Sequence, residues 1–193
     1  KPLELEGSLG REEAVGTGIV FLAREIARDL KMKLKGAKVV IQGFGKVGYH
    51  TANLLEKEGC RIIAVSDSKG GIFNEKGLSV KRVRDIYAKE KSVFYYKGAE
   101  KVSNEELLQL KCDFLIPSAL AGQIREDNAG KIRTRVLIEG ANNPVTPEAD
   151  SILGDKGVLI MPDILANAGG VVVSYFEWVQ NLQQLSWEER YVN

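Results

Sequence analysis

The sequence has a single histidine, His50, and two cysteines, Cys60 and Cys112. With one imidazole and no CxxC pair, there is no ligand set of the kind that holds structural zinc. Both cysteines lie in or beside apolar runs, CRIIAV and CDFLIP, which points to reduced thiols in a cytoplasmic protein. A charge surplus is missing too. Lys plus Arg number 27 against 26 Asp plus Glu, with no long basic run, which argues against a nucleic-acid partner. No apolar run reaches the roughly 18 residues that a membrane span needs, and no signal peptide opens the chain. Repeats and low-complexity segments are lacking, as is a starting Met. With ends reading KPLELEGS and WEERYVN, the sequence is expected to be an excised domain.

What is present suffices for one domain: 193 residues, 44% of them hydrophobic. Apolar residues Val15, Ile19, Leu22, Ile26 and Leu30 step by four and three, which predicts a helix over 11–31. Gly36 breaks it, and 37–42 reads as a buried strand. A helix over 46–58 ends at Gly59. CRIIAVS is a second strand. DSKGGIFNEKG is dense in turn formers and reads as a loop. A helix follows over 79–91. The sequence SNEE at 103–106 fits a capping box opening a short helix over 104–110. CDFLIP, RVLIE and GVLIMP are three more strands, and 163–185 is mostly helical. Strands that are continuously apolar and alternate with helices predict an α/β fold. The expected form is Rossmann-like and doubly wound, a mostly parallel sheet with helices on both faces. The expected organisation is an opening segment and helix over 1–36 that packs on the sheet, a dinucleotide-binding domain over 37–187, and a tail over 188–193.

The strand at 37–42 runs into GFGKVG: Gly43, Phe44, Gly45, Lys46, Val47 and Gly48. In a GxGxxG turn the first glycine permits the tight turn, the second lets the backbone approach a pyrophosphate, and the third lets helix and strand pack closely. The phosphates would lie at the helix N-terminus, where free N–H groups and the dipole favour anions. Alone the motif is a weak signal. Here a strand precedes it, a helix follows it, and Asp67 ends the next strand about 20 residues on, where a carboxylate bonds a ribose 2′-OH. A negative charge there repels a 2′-phosphate, so NAD is favoured over NADP. Lys69 nearby could offset that repulsion. Later loops at strand ends should complete the site: PSAL at 117–120, EGANNPVTPEA at 139–149 and PDILANAGGVVVSYFEW at 162–178. Asn142 and Asn167 offer amides to a nicotinamide carboxamide or ribose, with Asx turns as the plainer reading. Gly169 and Gly170 suggest a close backbone approach, to the nicotinamide or in loop packing.

The segments GREEAVGTG, VVIQGFGKVG, AVSDSKGGI, EGANNPVTPEAD and PDILANAGGVVVSYFEWVQN resemble the hexameric-type glutamate dehydrogenases over residues 1 to about 187. The resemblance covers only their nucleotide-binding domain. It implies a parent enzyme, a homohexamer, that oxidatively deaminates L-glutamate to 2-oxoglutarate and ammonia with NAD or NADP. By the same resemblance, Gly43 to Gly48 hold the pyrophosphate, Asp67 and Ser68 meet the adenosine ribose, and Ala119 lies near the nicotinamide. Asn142 and Asn167 contact its ribose or carboxamide. Val171 and Ser174 form part of the glutamate pocket, and Arg11 lies at its mouth. For Ser174 the plainer reading is a hydroxyl bonded back to its own helix.

Three positions depart from the family pattern: Val15 replaces a threonine, Lys46 an asparagine and Glu6 a glycine. The family's catalytic lysine and aspartate belong to a substrate domain that this sequence does not contain, and Lys69, in the ribose loop, is no substitute. No catalytic residue is therefore expected in this chain. By itself it should bind NAD as a monomer and turn nothing over. Two alternatives stand beside this reading: a leucine- or phenylalanine-type dehydrogenase domain, which Ser174 disfavours, and a non-catalytic nucleotide-sensing module.

Overall fold

The computed structural model describes residues 7–192; Glu6, one of the three departures, lies outside them. Among these residues seven strands form one sheet: β1 (Lys38–Gln42), β2 (Arg61–Asp67), β3 (Gly70–Phe73), β4 (Glu100–Val102), β5 (Cys112–Pro117), β6 (Thr134–Ile138) and β7 (Leu159–Met161). Their order is β4-β3-β2-β1-β5-β6-β7. The run from β2 to β7 is parallel, and β3 and β4 extend the β2 edge in antiparallel sense. Along each central strand, side chains alternate between two cores because successive Cβ atoms point to opposite faces. Val39, Ile41, Ile62, Phe114, Ile116, Val136 and Ile138 belong to one core, and Val40, Ile63, Leu115 and Leu137 to the other. Both faces are covered, so the strands read as unbroken apolar runs.

The first core is closed by α1 (Ala14–Asp29), α2 (Lys46–Lys57) and α3 (Val80–Glu90). The second is closed by α4 (Asn104–Leu108), α5 (Glu126–Ala129) and α6 (Pro147–Asp155). The capping box read from SNEE is formed: Ser103 Oγ accepts from Glu106 N at 3.1 Å, and Glu106 Oε2 accepts from Ser103 N at 2.7 Å. The chain finishes with α7 (Asp163–Ala166), α8 (Ala168–Gln183) and α9 (Glu189–Val192).

The doubly wound reading holds, with three corrections. Five parallel strands were expected and seven strands are present. The segment 67–77, read as a loop, contains β3: Asp67 pairs with Gly70 across a two-residue turn, and Gly71 is backed by Leu107 and Val102, where a Cβ would come within 2.8 and 3.0 Å of them. Small residues that look like a loop are here what lets α4 and β4 come close. The loop at 139–149 likewise ends early, because Thr146 caps α6, accepting from Ala149 N at 3.3 Å, and Pro147 stands in its first turn. The segment 163–185, read as mostly helical, is so: α7 and α8 meet at Asn167.

Candidate functional site

From β1 the chain winds outward to β2, then returns to β5 on the other side of β1. That reversal opens a crevice at the carboxyl ends of β1 and β5, the usual place for a ligand in such sheets. Gly43 and Ser118 face each other there. A Cβ on Gly43 would meet Ser118 O at 2.9 Å, and its φ of +91° also disfavours any side chain. A Cβ on Gly48 would lie 1.8 Å from Gly43 O. The fold itself therefore requires glycine at both ends of the motif. Gly45 is different: a Cβ there meets nothing within 4 Å, and its φ of −73° suits any residue. Gly45 is also the N-cap of α2, which opens without a side-chain cap. Uncapped first-turn N–H groups and about half a unit of positive dipole charge thus face open space. This arrangement fits a pyrophosphate brought close to the backbone. Lys46 is exposed at the same turn. The Phe44 ring is buried, edge-on to Tyr49 and Tyr87 at 5.8 Å from each, so it anchors the turn from below.

Asp67 ends β2 with its carboxylate already engaged. One oxygen accepts from Lys69 N at 2.8 Å and the other from Val93 N at 2.7 Å, tying it to the 3-10 turn Val93–Tyr95. Each carboxylate oxygen retains acceptor capacity for a ribose hydroxyl. The Lys69 ammonium lies over the Tyr95 ring, 4.9 Å from its centroid and 3.4 Å from its hydroxyl oxygen. Ser68 is exposed at the turn between β2 and β3.

Beyond β5, β6 and β7, a cleft of about 470 Å³ is lined by Val15, Val47, Ser118, Ala119, Asn142, Asn167 and Val171, with Gly140 and Ala141. The structure thus brings Ala119, Asn142, Asn167 and Val171 together in one cleft, beside the Val15 that departs from the family pattern. Asn167 Nδ2 donates to Asn142 Oδ1 at 2.7 Å, so the two amides form one unit. The larger depression on the surface, about 760 Å³ and lined by Arg82, Asp85, Ile86 and Tyr95 among others, shares no residue with this cleft.

Four expected residues are engaged with other parts of this same chain. Ser174 Oγ donates to Gly170 O at 2.8 Å, the backward bond of a helix serine, while remaining exposed. Arg11 is fastened to α8, its Nη1 donating to Glu177 Oε1 at 2.5 Å. Gly169 and Gly170 face α1: added Cβ atoms would meet Ala14 O at 2.1 Å and Val15 Cγ2 at 2.9 Å. Their close approach is therefore to a helix of the same chain, which carries Val15 to the cleft. The residue that sequence reasoning passed over is Ser118. Its Oγ is buried without a hydrogen-bond partner, beneath a Gly140 whose Cβ would lie 2.4 Å from it. Its position at the end of β5 was the available signal.

The described residues contain no cluster of three or more His, Cys, Asp or Glu able to hold a metal. They contain no helix long and apolar enough to cross a membrane. Along α8, Val171, Tyr175, Trp178 and Leu182 are 69%, 57%, 57% and 65% exposed and fall in one apolar stripe.

Residues 7–193 match the Glutamate/Leucine/Phenylalanine/Valine dehydrogenase family. A glutamate dehydrogenase of Thermotoga maritima is 49% identical over 189 residues, which cover 97% of this chain and 45% of that protein. Among solved structures, the hetero-hexameric glutamate dehydrogenase of Thermus thermophilus, in its leucine-bound form, superposes with a TM-score of 0.93 at 35% identity. That match covers 100% of this chain and 45% of the other. The Peptoniphilus asaccharolyticus glutamate dehydrogenase gives 0.82 at 34% identity, with the same coverage of each chain. This chain spans about half the length of the relatives it matches.

Proposed function

This chain belongs to the Glutamate/Leucine/Phenylalanine/Valine dehydrogenase family, and on that premise we propose that it is the NAD-binding domain of a glutamate dehydrogenase. The observation that carries the reading is the contrast among the three glycines. Gly43 and Gly48 are demanded by the protein's own packing, whereas Gly45 faces open space at an uncapped helix start. At the carboxyl end of β1 and the start of α2, that missing side chain leaves room for a ligand to approach the backbone.

A bound nicotinamide dinucleotide supplies the hydride acceptor. The residues of this chain bind and orient it. First-turn N–H groups of α2 meet the pyrophosphate, and Asp67 accepts from the adenosine ribose, its negative charge favouring NAD over NADP. Ala119 and the Asn142–Asn167 pair hold the nicotinamide half. Val171 and the exposed Ser174 hydroxyl contribute this domain's share of the glutamate pocket, and a polar group at 174 suits a side-chain carboxylate better than a leucine or phenylalanine side chain. Acid–base groups for deamination come from the rest of the parent protein, so the chain alone is inactive. The parent is a homohexamer, the chain alone a monomer, and the apolar stripe on α8 a surface that the parent covers.

Calorimetric titration of this chain with NADH, then NADPH, tests the reading. Saturable binding with NADH the tighter ligand is expected; binding of neither refutes it. Glutamate-dependent hydride transfer by this chain alone would overturn the assignment of catalysis to the missing part.

A further inference from the structure

β6 and β7 end side by side, Ile138 paired with Met161. The backbone ladder continues one step further, with Glu139 N donating to Met161 O at 3.0 Å. Nothing in the sheet requires an acid at 139. Yet Glu139 is 92% buried, judged by its 8% exposure. Its side chain turns to the next loop: Oε2 accepts from Asp163 N at 2.9 Å. Asp163 passes the connection back, its Oδ2 accepting from Asn143 N at 2.8 Å. The Asp163 carbonyl accepts from Asn167 N at 2.9 Å, and Asn167 Nδ2 reaches Asn142 Oδ1 at 2.7 Å. These bonds close a ring that joins the loop after β6 to the loop after β7. Asn143 sits in it with a left-handed φ of 45°, a conformation that asparagine tolerates better than most residues. Its carbonyl accepts from Gly122 N at 2.9 Å, so the loop after β5 is joined as well.

We propose that Glu139 and Asp163 are positioning residues for the nicotinamide half of the cleft, locking the loops that carry Asn142 and Asn167 into one preformed unit. The proposal rests on the dinucleotide reading above. Burial, with the Asp163 and Asp150 carboxylates nearby, pushes the Glu139 carboxyl up from its ordinary range, while the Asp163 N–H acts in the opposite sense. A buried acid is a costly way to join two segments that a backbone bond, Glu139 N to Met161 O at 3.0 Å, already joins. Its return is that two loops, each able to move alone, are ordered before ligand arrives, so binding loses less entropy.

The ring touches one half of the ligand, and that gives the test. Calorimetry on this chain compares NADH with ADP-ribose, which lacks nicotinamide and uses the Gly43–Gly48 turn and Asp67. Glu139→Ala and Asp163→Ala are expected to weaken NADH about ten-fold, one hydrogen bond's worth of order, and to leave ADP-ribose within about two-fold. Glu139→Gln, which keeps an acceptor for Asp163 N, should restore NADH binding. If Glu139→Ala does not fold, the half-buried Asp163→Ala decides the matter. Parallel losses for both ligands, or wild-type NADH affinity in the folded Ala variants, would overturn the positioning role. Wild-type chain that binds neither ligand would instead overturn the dinucleotide reading beneath it.

Discussion

The glycine motif separates fold from function in a way that two substitutions can measure. In Gly48→Ala the new Cβ lies 1.8 Å from Gly43 O, 2.9 Å from Gly43 C and 3.3 Å from Ile41 Cγ2. Ordinary carbon contacts lie at about 3.5–4 Å, so the turn and α2 must separate by well over an ångström. Both partners are buried backbone or core, which places the overpacking cost near the top of its usual range of about 1–3 kcal/mol. Alanine is better than glycine inside a helix by about 1 kcal/mol. The net loss is then about 2 kcal/mol, a fall in melting temperature of roughly 4–8 °C for a chain of this size. Gly45→Ala reverses the pattern. Its Cβ meets nothing within 4 Å and its backbone already suits alanine. A small capping loss is offset by reduced freedom in the unfolded chain, about 0.4–1 kcal/mol, so stability stays within about 0.5 kcal/mol of wild type. The methyl group, however, holds the pyrophosphate off the first-turn N–H groups. Losing one charge-assisted hydrogen bond costs about 10- to 100-fold in NADH affinity. Thermal melts and NADH titrations on both variants are the assay. A Gly48→Ala protein that melts at the wild-type temperature, or a Gly45→Ala protein that binds NADH like wild type, refutes the reasoning.

Asp67→Ser should shift selectivity toward NADPH by about ten-fold, since a charge close to the 2′ position is removed; an unchanged NADH-to-NADPH ratio would reject Asp67 as the ribose ligand. The same change should lower the melting temperature, because a single serine hydroxyl cannot replace both carboxylate oxygens that accept from Val93 N and Lys69 N. Burial pushes the Cys60 and Cys112 thiols up to about 12, so at pH 8 both stay protonated and should resist a thiol reagent until the protein unfolds, when two equivalents react. Fast labelling of the native protein would contradict their placement in the core. Ser174→Ala removes an exposed hydroxyl whose bond is to its own helix, so the melting temperature should hold while the full-length protein loses kcat/KM for glutamate. Equal turnover with and without the hydroxyl would remove Ser174 from the substrate pocket.

The sequence by itself determined the alternation of helix and strand, because a strand covered on both faces must be apolar through its middle, and Val39–Ile41, Ile62–Val65, Phe114–Ile116 and Val136–Ile138 are. It determined the glycine turn, whose spacing follows from the geometry of one strand, one turn and one helix. The capping box at Ser103 was legible for the same reason: its bonds span only three residues. Other features were fixed by neighbours distant in the chain. β3 looked like a loop because Gly70 and Gly71 carry no side-chain pattern; their smallness is explained only by Phe94, Val102 and Leu107 packed against them. Gly169 and Gly170 looked like an approach to a ligand until α1 was seen beside them. Arg11 gave no hint of Glu177, 166 residues away. The ring of Glu139, Asp163, Asn167 and Asn142 is likewise invisible in sequence. It exists because parallel strands separated by a whole helix end at the same height, where side chains from two loops come within hydrogen-bond reach.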